Sequence, residues 1–367
     1  MEHDAAESDA RRRRKSVAPI TRDYSDLSDE LVLWPFVTIT SRPGLSTPVV
    51  STDSRGYRLS RLDDSAVASD DAPEDAGFVL GGSYVFGVGA AADSGTLPSA
   101  LWRSTGKPYV NLGLRKATST QELVAALPFA ERSTTFVVCS GLNNFAVARA
   151  APLDPLFGPT YLDHPLRRLL AMPVGELVRL VKTAESGGRL AAIGDADLRR
   201  ELTRRLRRRV SRSKASPPAG DRPRRSKKKP EPAPDEVVET AATVQLRDVR
   251  ALRRVVPDDA EVVFALQPVA THTGKELTDE ERELFESLDL MQARTTRWPV
   301  VKELLETHWP SYAERLEQGC GELGVPFVDL SRAEYSGWCF VDRIHMTERG
   351  YELAASFLQE SLTRVPR

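Results

Sequence analysis

The residues best suited to chemistry are one serine early in the chain and an Asp-His pair near its end. Ser83 follows Gly81 and Gly82 at the close of an apolar run, and Asp342 precedes His345 by three residues. A serine hydroxyl is a weak nucleophile until an imidazole takes its proton, and a carboxylate must hold that imidazole in the correct tautomer. These residue types, in this order, predict nucleophilic catalysis by Ser83, with His345 as the base and Asp342 as the acid that orients it.

A third polar element follows another apolar run. Asn143 lies in Ser-Gly-Leu-Asn-Asn, directly after a run that ends at Cys139. An Asn at the carboxyl end of a strand can direct its side-chain N–H at a developing oxyanion. The alternative is a loop Asn that caps the next helix. The presence of Ser83 and His345 in the same chain favours the oxyanion role.

These residues require a scaffold that brings distant segments together, and the apolar pattern indicates one. Short apolar runs typical of buried strands alternate with segments of helical spacing. The predicted strands are residues 77–80, 108–112, 134–139, 260–266 and 326–330. The predicted helices are residues 120–127, 173–183, 279–288, 300–323 and 347–362. This alternation predicts a three-layer α/β fold with a parallel sheet, whose substrates bind beyond the carboxyl ends of the strands.

The rest of the chain divides by composition. Residues 1–28 are polar and aperiodic, which predicts a disordered tail, and residues 29–75 are predicted to pack on the domain as an N-terminal extension. The domain itself is predicted over residues 76–194 and 240–367. Residues 195–239 are predicted to be an insertion, with a basic helix over 195–210 and then a disordered stretch rich in Pro, Lys and Arg over 213–234.

The charge of the chain is balanced overall but unevenly distributed. The net charge is −1 over 367 residues, yet 15 Lys and Arg stand against two acids between Arg199 and Lys229, which we call the basic segment. The remainder is acidic, with 36 basic and 50 acidic residues. Such a segment can be a solvated linker, or it can dock to nucleic acid, to an anionic lipid surface or to an acidic partner such as a carrier protein. It contains no aromatic residues on which single-stranded bases could stack.

The amino-acid composition narrows the classes of protein to which the chain can belong. Hydrophobic residues at 41% and charged residues at 28% are typical of a globular protein. The three cysteines are widely spaced and form no metal-binding pattern with the five histidines, so we expect no metal and a reducing, cytoplasmic location. An Arg-rich stretch at residues 11–15 is followed by no apolar region, and no run is long enough to cross a membrane.

Three sequence blocks carry a resemblance to the SGNH/GDSL hydrolase family. Its first block, Gly-Asp-Ser, is similar to Gly81-Gly82-Ser83, where Gly82 replaces the Asp. Its third, Gly-x-Asn-Asp, is similar to residues 141–144, and its last, Asp-x-x-His, matches residues 342–345. The resemblance covers about residues 53–362 apart from the basic segment. It implies a flavodoxin-like five-stranded parallel sheet and a serine hydrolase that needs no cofactor.

The second block of the family is similar to residues 109–118, where Lys116 stands at the position of the family's oxyanion Gly. The resemblance implies that Ser83 attacks an ester carbonyl. It also implies that the backbone N–H groups of Ser83 and Lys116, with the Asn143 side chain, hold the oxyanion. Three functions stay open: an esterase acting on an O-acylated small molecule, an acyltransferase that recruits an acidic acyl carrier, and a non-catalytic binding protein of the same fold.

Overall fold

The structure is a computed structural model that describes residues 2–20, 30–34, 38–132, 135–148, 232–292 and 298–364. The chain divides into two compact units, Met1–Tyr161 with Pro232–Arg367 and Leu162–Glu231, and all the described residues lie in the first. The predicted helices at 173–183 and 195–210 lie outside the described residues, as does the basic segment. The disordered stretch predicted at 213–234 lies outside them up to residue 231.

The described chain contains the following strands and helices. The strands are β1 (Leu31–Trp34), β2 (Thr38–Ser41), β3 (Ser60–Leu62), β4 (Ser65–Val67), β5 (Gly77–Gly81), β6 (Tyr109–Gly113), β7 (Thr135–Ser140), β8 (Glu261–Leu266) and β9 (Phe327–Asp329). The α-helices are α1 (Glu2–Val17), α2 (Ser83–Phe86), α3 (Leu97–Thr105), α4 (Ser119–Ala126), α5 (Leu142–Ala148), α6 (Pro234–Val255), α7 (Asp279–Gln292), α8 (Trp298–Thr307), α9 (Trp309–Leu323) and α10 (Glu348–Arg364).

The central sheet has five parallel strands, as the apolar runs predicted, and their order is β6-β5-β7-β8-β9. In chain order this is 2-1-3-4-5, the flavodoxin-like arrangement. Successive side chains of a strand point to opposite faces. In β5, Phe78 and Leu80 therefore join one buried cluster and Val79 the other. The fold class is thus confirmed: a three-layer α/β/α sandwich with helices on both faces of a parallel sheet.

Helices α4, α5, α6, α8 and α9 contribute to the first cluster, and α3, α7 and α10 to the second. Helix α6 was missed as a helix, although its sequence carries the signals. Pro234 occupies the first turn with Asp235 and Glu236 beside it, and its buried residues recur at helical spacing from Val237 to Leu252. Its start at Pro234 lies inside the insertion that was predicted to extend to residue 239.

Two predicted boundaries were wrong. The helix predicted over 300–323 is two helices, α8 and α9, that meet at His308. Pro310 explains the break, because proline has no backbone N–H and its ring clashes with the carbonyl four residues earlier. Helix α4 begins at Ser119, one residue before the predicted start, and its N-cap Thr118 forms a capping box with Gln121 that satisfies N–H groups at the start of the helix.

The N-terminus differs most from expectation. Where the sequence predicted a disordered tail, residues Glu2–Val17 form helix α1, which packs along α7. The sequence of α1 has few apolar residues, but Ala10 and Ala18 are fully buried at its contact with the domain. Arg13 adds an ion pair with Glu283 of α7, with 3.1 Å between Nη1 and Oε1. Tertiary contacts therefore stabilise a helix that the local sequence does not indicate.

A buried carboxyl on α4 gives the fold a pH dependence. Burial raises the pKa of Glu122 to about 8; a hydrogen bond with Ser140 opposes this shift, and the nearby charge of Asp248 adds to it. The folded protein therefore holds a proton at Glu122 that the unfolded chain releases near pH 4.5. By linkage, the contribution of Glu122 to the free energy of unfolding is largest below pH 4.5. It decreases as the pH rises and is lost above about pH 8.

We predict that Glu122→Gln, which mimics the protonated carboxyl, becomes more stable than the parent protein as the pH rises from about 4.5 to about 8. At about pH 8.5 its thermal midpoint should lie a few degrees higher. The measurement is thermal unfolding at several pH values, with the exposed Glu131→Gln as the control. An unchanged difference between variant and parent across this pH range would contradict the prediction.

Candidate active site

Ser83 is placed by the tight junction between strand β5 and the short helix α2. A Cβ on Gly81 would lie 2.2 Å from the Cys139 carbonyl oxygen of the neighbouring strand β7, so this position requires glycine. Ser83 is the first residue of α2, which ends at Gly87 with φ at 88°. Its side chain therefore emerges at the carboxyl edge of the sheet, where α/β proteins bind ligands.

The structure brings Ser83, His345 and Asp342 into one hydrogen-bond chain, although the serine and the histidine are 262 positions apart in the sequence. Ser83 Oγ lies 2.8 Å from His345 Nε2, and His345 Nδ1 lies 2.9 Å from Asp342 Oδ2. An ionised carboxylate only accepts hydrogen bonds, so Nδ1 carries the proton and Nε2 presents its lone pair to the serine hydroxyl. This is the tautomer that a general base for Ser83 requires.

Asp342 is held as a carboxylate by its surroundings. Its Oδ1 accepts hydrogen bonds from the backbone N–H groups of Ile344 and His345, at 2.9 and 2.8 Å. Burial acts to raise the pKa of Asp342. His345, the Arg14 guanidinium and the Ile344 amide outweigh that effect and keep the pKa of Asp342 well below its usual range. The carboxylate therefore stays ionised throughout the pH range in which an imidazole titrates.

Helix α7 fixes the loop that carries Asp342 and His345. Glu281 of α7 is fully buried, and its Oε1 accepts the backbone N–H groups of Cys339 and Phe340 at 2.9 and 3.0 Å. Its other oxygen binds Lys275 and the backbone N–H of Thr278. The loop is thus anchored by a buried, ion-paired carboxylate just before Asp342.

A second anchor lies just after Asp342. Arg343 donates two parallel hydrogen bonds of 2.9 Å to Asp289 near the end of α7. Its guanidinium also stacks on the rings of Phe285 and Trp298, at 5.2 and 5.8 Å from their centroids. A planar guanidinium suits this geometry, which restricts it to one orientation. Asp342 therefore sits between two positions of the loop that α7 holds.

Asn143 lies between the serine turn and the loop that contains Lys116. Its Nδ2 donates to the Ala117 carbonyl oxygen at 2.5 Å, and a Cβ built on Gly82 would approach the same Nδ2 to 2.6 Å. The absence of a side chain at Gly82 leaves room for the Asn143 amide beside Ser83. The amide nitrogen of Asn143 carries two N–H groups, and the Ala117 carbonyl oxygen accepts one of them.

Lys116 adopts the backbone conformation that glycine favours. Its φ is 66°, in the left-handed region, although it is not glycine. The loop is tied to the sheet by the Leu114 N–H, which donates to the Gly81 carbonyl oxygen at 2.9 Å. Asn144 fixes its other end by accepting the Ser119 N–H at 3.0 Å and donating to Ser119 Oγ at 2.7 Å. These contacts impose the unusual φ on Lys116.

Two arginines that hold elements of this site give no signal in the sequence. Arg58 is fully buried, pairs with Asp93 at 2.8 Å and donates to the Phe86 and Gly87 carbonyl oxygens at the end of α2. It ties the N-terminal extension to the helix of Ser83. Arg14 of α1 is the other, with Nη2 3.7 Å from Asp342 Oδ2. Neither could be found from spacing, because each acts across a contact that only the fold creates.

Three further observations complete the description of the site and its surroundings. Among the described residues, no cluster of His, Cys, Asp and Glu side chains could hold a metal ion. Within the same residues, no helix has the length and apolar character needed to cross a bilayer. All three cysteines are buried and form no disulfide. The arrangement places a hydroxyl, an imidazole and a carboxylate in one hydrogen-bond chain, and these are residue types that can perform acyl transfer.

Comparison with known proteins gives the following. The similar solved structures include lipases and esterases. The extracellular lipase of Streptomyces rimosus is 11% identical, with a TM-score of 0.42 over 78% of this chain and 99% of the lipase. The aryl esterase of M. smegmatis is 11% identical, with a TM-score of 0.39 over 80% and 100% of the two chains. A lipolytic G-D-S-L family member from Veillonella parvula is 10% identical, with a TM-score of 0.36 over 79% and 99%.

These names agree with the resemblance seen in the sequence. No protein-family model matches the chain, and no curated protein matches it. At identities of 10–11% and TM-scores of 0.36–0.42, the structural similarities carry no argument about this chain's activity. That argument rests on the geometry of its own residues.

The conformation of Lys116 generates a stability prediction. A left-handed backbone costs a residue with a Cβ about 1–2 kcal/mol, whereas glycine loses about 0.4–1 kcal/mol through its freer unfolded chain. Lys116→Gly should therefore raise the free energy of unfolding by up to about 1 kcal/mol. Lys116→Val should lower it by about 1 kcal/mol or more, since a β-branched residue tolerates this region poorly.

Chemical denaturation of the parent and the two variants measures these differences. Lys116→Ala is the matched control, because it removes the charged side chain but keeps a Cβ at the same φ. If Lys116→Ala stabilises the protein as much as Lys116→Gly, the side chain and not the backbone conformation is the source of the effect.

Proposed function

We propose that this protein is a serine hydrolase that cleaves the ester bond of an O-acylated small molecule. The observation that carries the proposal is the hydrogen-bond chain from Ser83 Oγ through His345 to Asp342, with distances of 2.8 and 2.9 Å. Its direction, with the lone pair of His345 Nε2 facing the hydroxyl, is the one that activates a serine. The low pKa of Asp342 supports the proposal, because an ionised acid stabilises the imidazolium.

In the proposed reaction, Ser83 Oγ attacks the ester carbonyl while its proton passes to His345 Nε2. The oxyanion is held by the Asn143 side-chain N–H and the backbone N–H groups of Ser83 and Lys116. Collapse of the intermediate returns the proton to the leaving alcohol and leaves an acyl group on Ser83. Water, deprotonated by His345, then attacks the acyl-enzyme and releases the acid.

The contacts of the Lys116 loop support its part in this scheme. Lys116 retains the left-handed φ of a glycine, and only its backbone N–H is required. The loop is anchored at both ends, at Gly81 and at Asn144. A donor held in advance needs no reorganisation when charge develops, which is the source of oxyanion stabilisation.

The decisive experiment is reaction with a fluorophosphonate, followed by mass spectrometry of the labelled peptide. We expect one label, on Ser83, that is lost in His345→Ala because the hydroxyl is then no longer deprotonated. Asp342→Asn should slow hydrolysis of a small aryl ester by about 10³–10⁴-fold, since it removes the charge and favours the wrong tautomer. A folded protein that is not labelled would refute the proposal and favour the non-catalytic binding protein.

The acyltransferase is the second candidate, and the charge of the basic segment favours it. That segment would recruit an acidic acyl carrier, after which an alcohol or amine would take the place of water. Partitioning of the acyl group between water and an added alcohol or amine distinguishes the two reactions.

The cytoplasmic location remains part of this proposal, argued from the three cysteines alone.

The basic segment generates a separate prediction. Deleting residues 213–231, which stops short of α6 at Pro234, should leave hydrolysis of a small aryl ester within about twofold of the parent, because the proposed reaction uses no residue of this segment. Binding to an acidic protein or to anionic vesicles should weaken, and should already depend on salt in the parent. The matched variant replaces the seven Lys and Arg residues within 213–231 by Gln, which removes their charge but keeps the length of the chain. Loss of ester hydrolysis on deletion would contradict the prediction.

A further inference from the structure

Helix α1 brings one arginine, whose side chain is largely shielded from solvent, to the acid of the hydrogen-bond chain. Arg14 Nη2 lies 3.7 Å from Asp342 Oδ2, the oxygen that also accepts from His345 Nδ1. Arg14 Nη1 donates to the Leu284 carbonyl oxygen on α7 at 3.2 Å. The two charged side chains are 12% and 13% exposed. An ion pair so little exposed is screened by solvent far less than a surface pair.

Arg14 differs from the arginines around it in the sequence. Arg11 and Arg12 pair with Glu7 and Asp9 on their own helix and remain exposed, as a solvated helix face would. Arg14 instead turns toward the domain, where burial lowers its pKa and the Asp342 charge opposes that shift. An arginine nevertheless stays charged at any ordinary pH. Helix α1 therefore delivers a fixed positive charge to Asp342.

The docking of α1 is specific enough to hold that charge in place. Ala10 and Ala18 are fully buried, and Val17 and Ile20 pack on the second cluster. Arg13 pairs with Glu283, the residue before the carbonyl that Arg14 binds. The helix is thus fixed against α7, the same helix that anchors the Asp342 loop through Glu281 and Asp289.

The charged groups that face Asp342 are few among the residues that the structure describes. His345 approaches from its own loop and Arg14 from α1, while Arg343, although adjacent in sequence, pairs with Asp289 and Glu306. The negative charge of Asp342 favours the protonated form of His345. The positive charge of Arg14 offsets part of that effect. It also restrains the carboxylate, because Oδ2 then has a cation and an imidazole N–H as fixed partners.

We propose that Arg14 is a positioning residue for the active site, which orients Asp342 and sets the pH range over which His345 can act as a base. Through this one residue, helix α1 helps to position the active site. The inference rests on the proposed function, but its structural content, a charge coupled to His345 through Asp342, can be tested without activity.

The test compares Arg14→Gln, Arg14→Lys and the control Arg11→Gln in the full chain. NMR titration follows the ring protons of His345, assigned with His345→Ala. In Arg14→Gln the titration midpoint should move to higher pH by about 0.5–1 unit, because a positive charge near the imidazolium is lost. Arg14→Lys should largely restore it, and Arg11→Gln should match the parent, because Arg11 pairs with Glu7 on its own helix.

Aryl-ester hydrolysis provides the second readout. The acid limb of the kcat/KM profile should shift in the same direction in Arg14→Gln, with kcat lowered about 3–10-fold by a less restrained carboxylate. A merely structural role would lower stability or kcat without moving the limb or the NMR midpoint. An unchanged midpoint in Arg14→Gln overturns the inference. If the His345 midpoint moves in Arg14→Gln but the parent protein is not labelled by the fluorophosphonate, the proposed function is wrong and the inference about Arg14 stands.

Discussion

The carboxylate of Asp342 is the group on which the arrangement of this site depends. Its two oxygens orient His345 from both sides, one through the ring Nδ1 and the other through the backbone N–H groups of Ile344 and His345. Taking a charged group out of water is costly unless each oxygen finds a donor or a cation. The residues that surround Asp342 meet that requirement, and in doing so they fix the imidazole that faces Ser83.

Helix α7 has a larger part in the site than its distance in sequence from Ser83 suggests. It anchors the loop before Asp342 through Glu281 and after Asp342 through Asp289, and it receives helix α1, which carries Arg14. Three contacts on one helix therefore control a loop that contributes two of the three linked residues. On the other side of the site, Arg58 and the Asn144–Ser119 contacts hold the serine turn and the Lys116 loop. Rigid elements thus position both halves of the site.

The site also contains two substitutions relative to the SGNH/GDSL motifs, and the geometry accounts for each. Gly82 stands where the family has Asp, and its lack of a Cβ leaves space for the Asn143 amide. Lys116 stands where the family has Gly, and the loop imposes a φ of 66° on it. A backbone N–H does not depend on the side chain, so the position can keep its donor although the residue type has changed. The cost is local strain, which the contacts at both ends of the loop offset.

The sequence by itself determined the alternation of strands and helices that builds the parallel sheet, and it singled out Ser83, Asp342 and His345 by residue type. Apolar periodicity and short motifs are local properties of the chain, so they can be recognised without the fold. Strand β5 ends at the glycines before Ser83, and Asp342 stands three residues before His345, as the pattern alone indicates. Only the tertiary structure decided what surrounds them. Helix α1 forms because it packs on α7, and Arg14, Arg58 and Glu281 act on partners far away in the chain. Such contacts produce no periodic pattern in the sequence, because packing, and not spacing along the backbone, decides which residues meet.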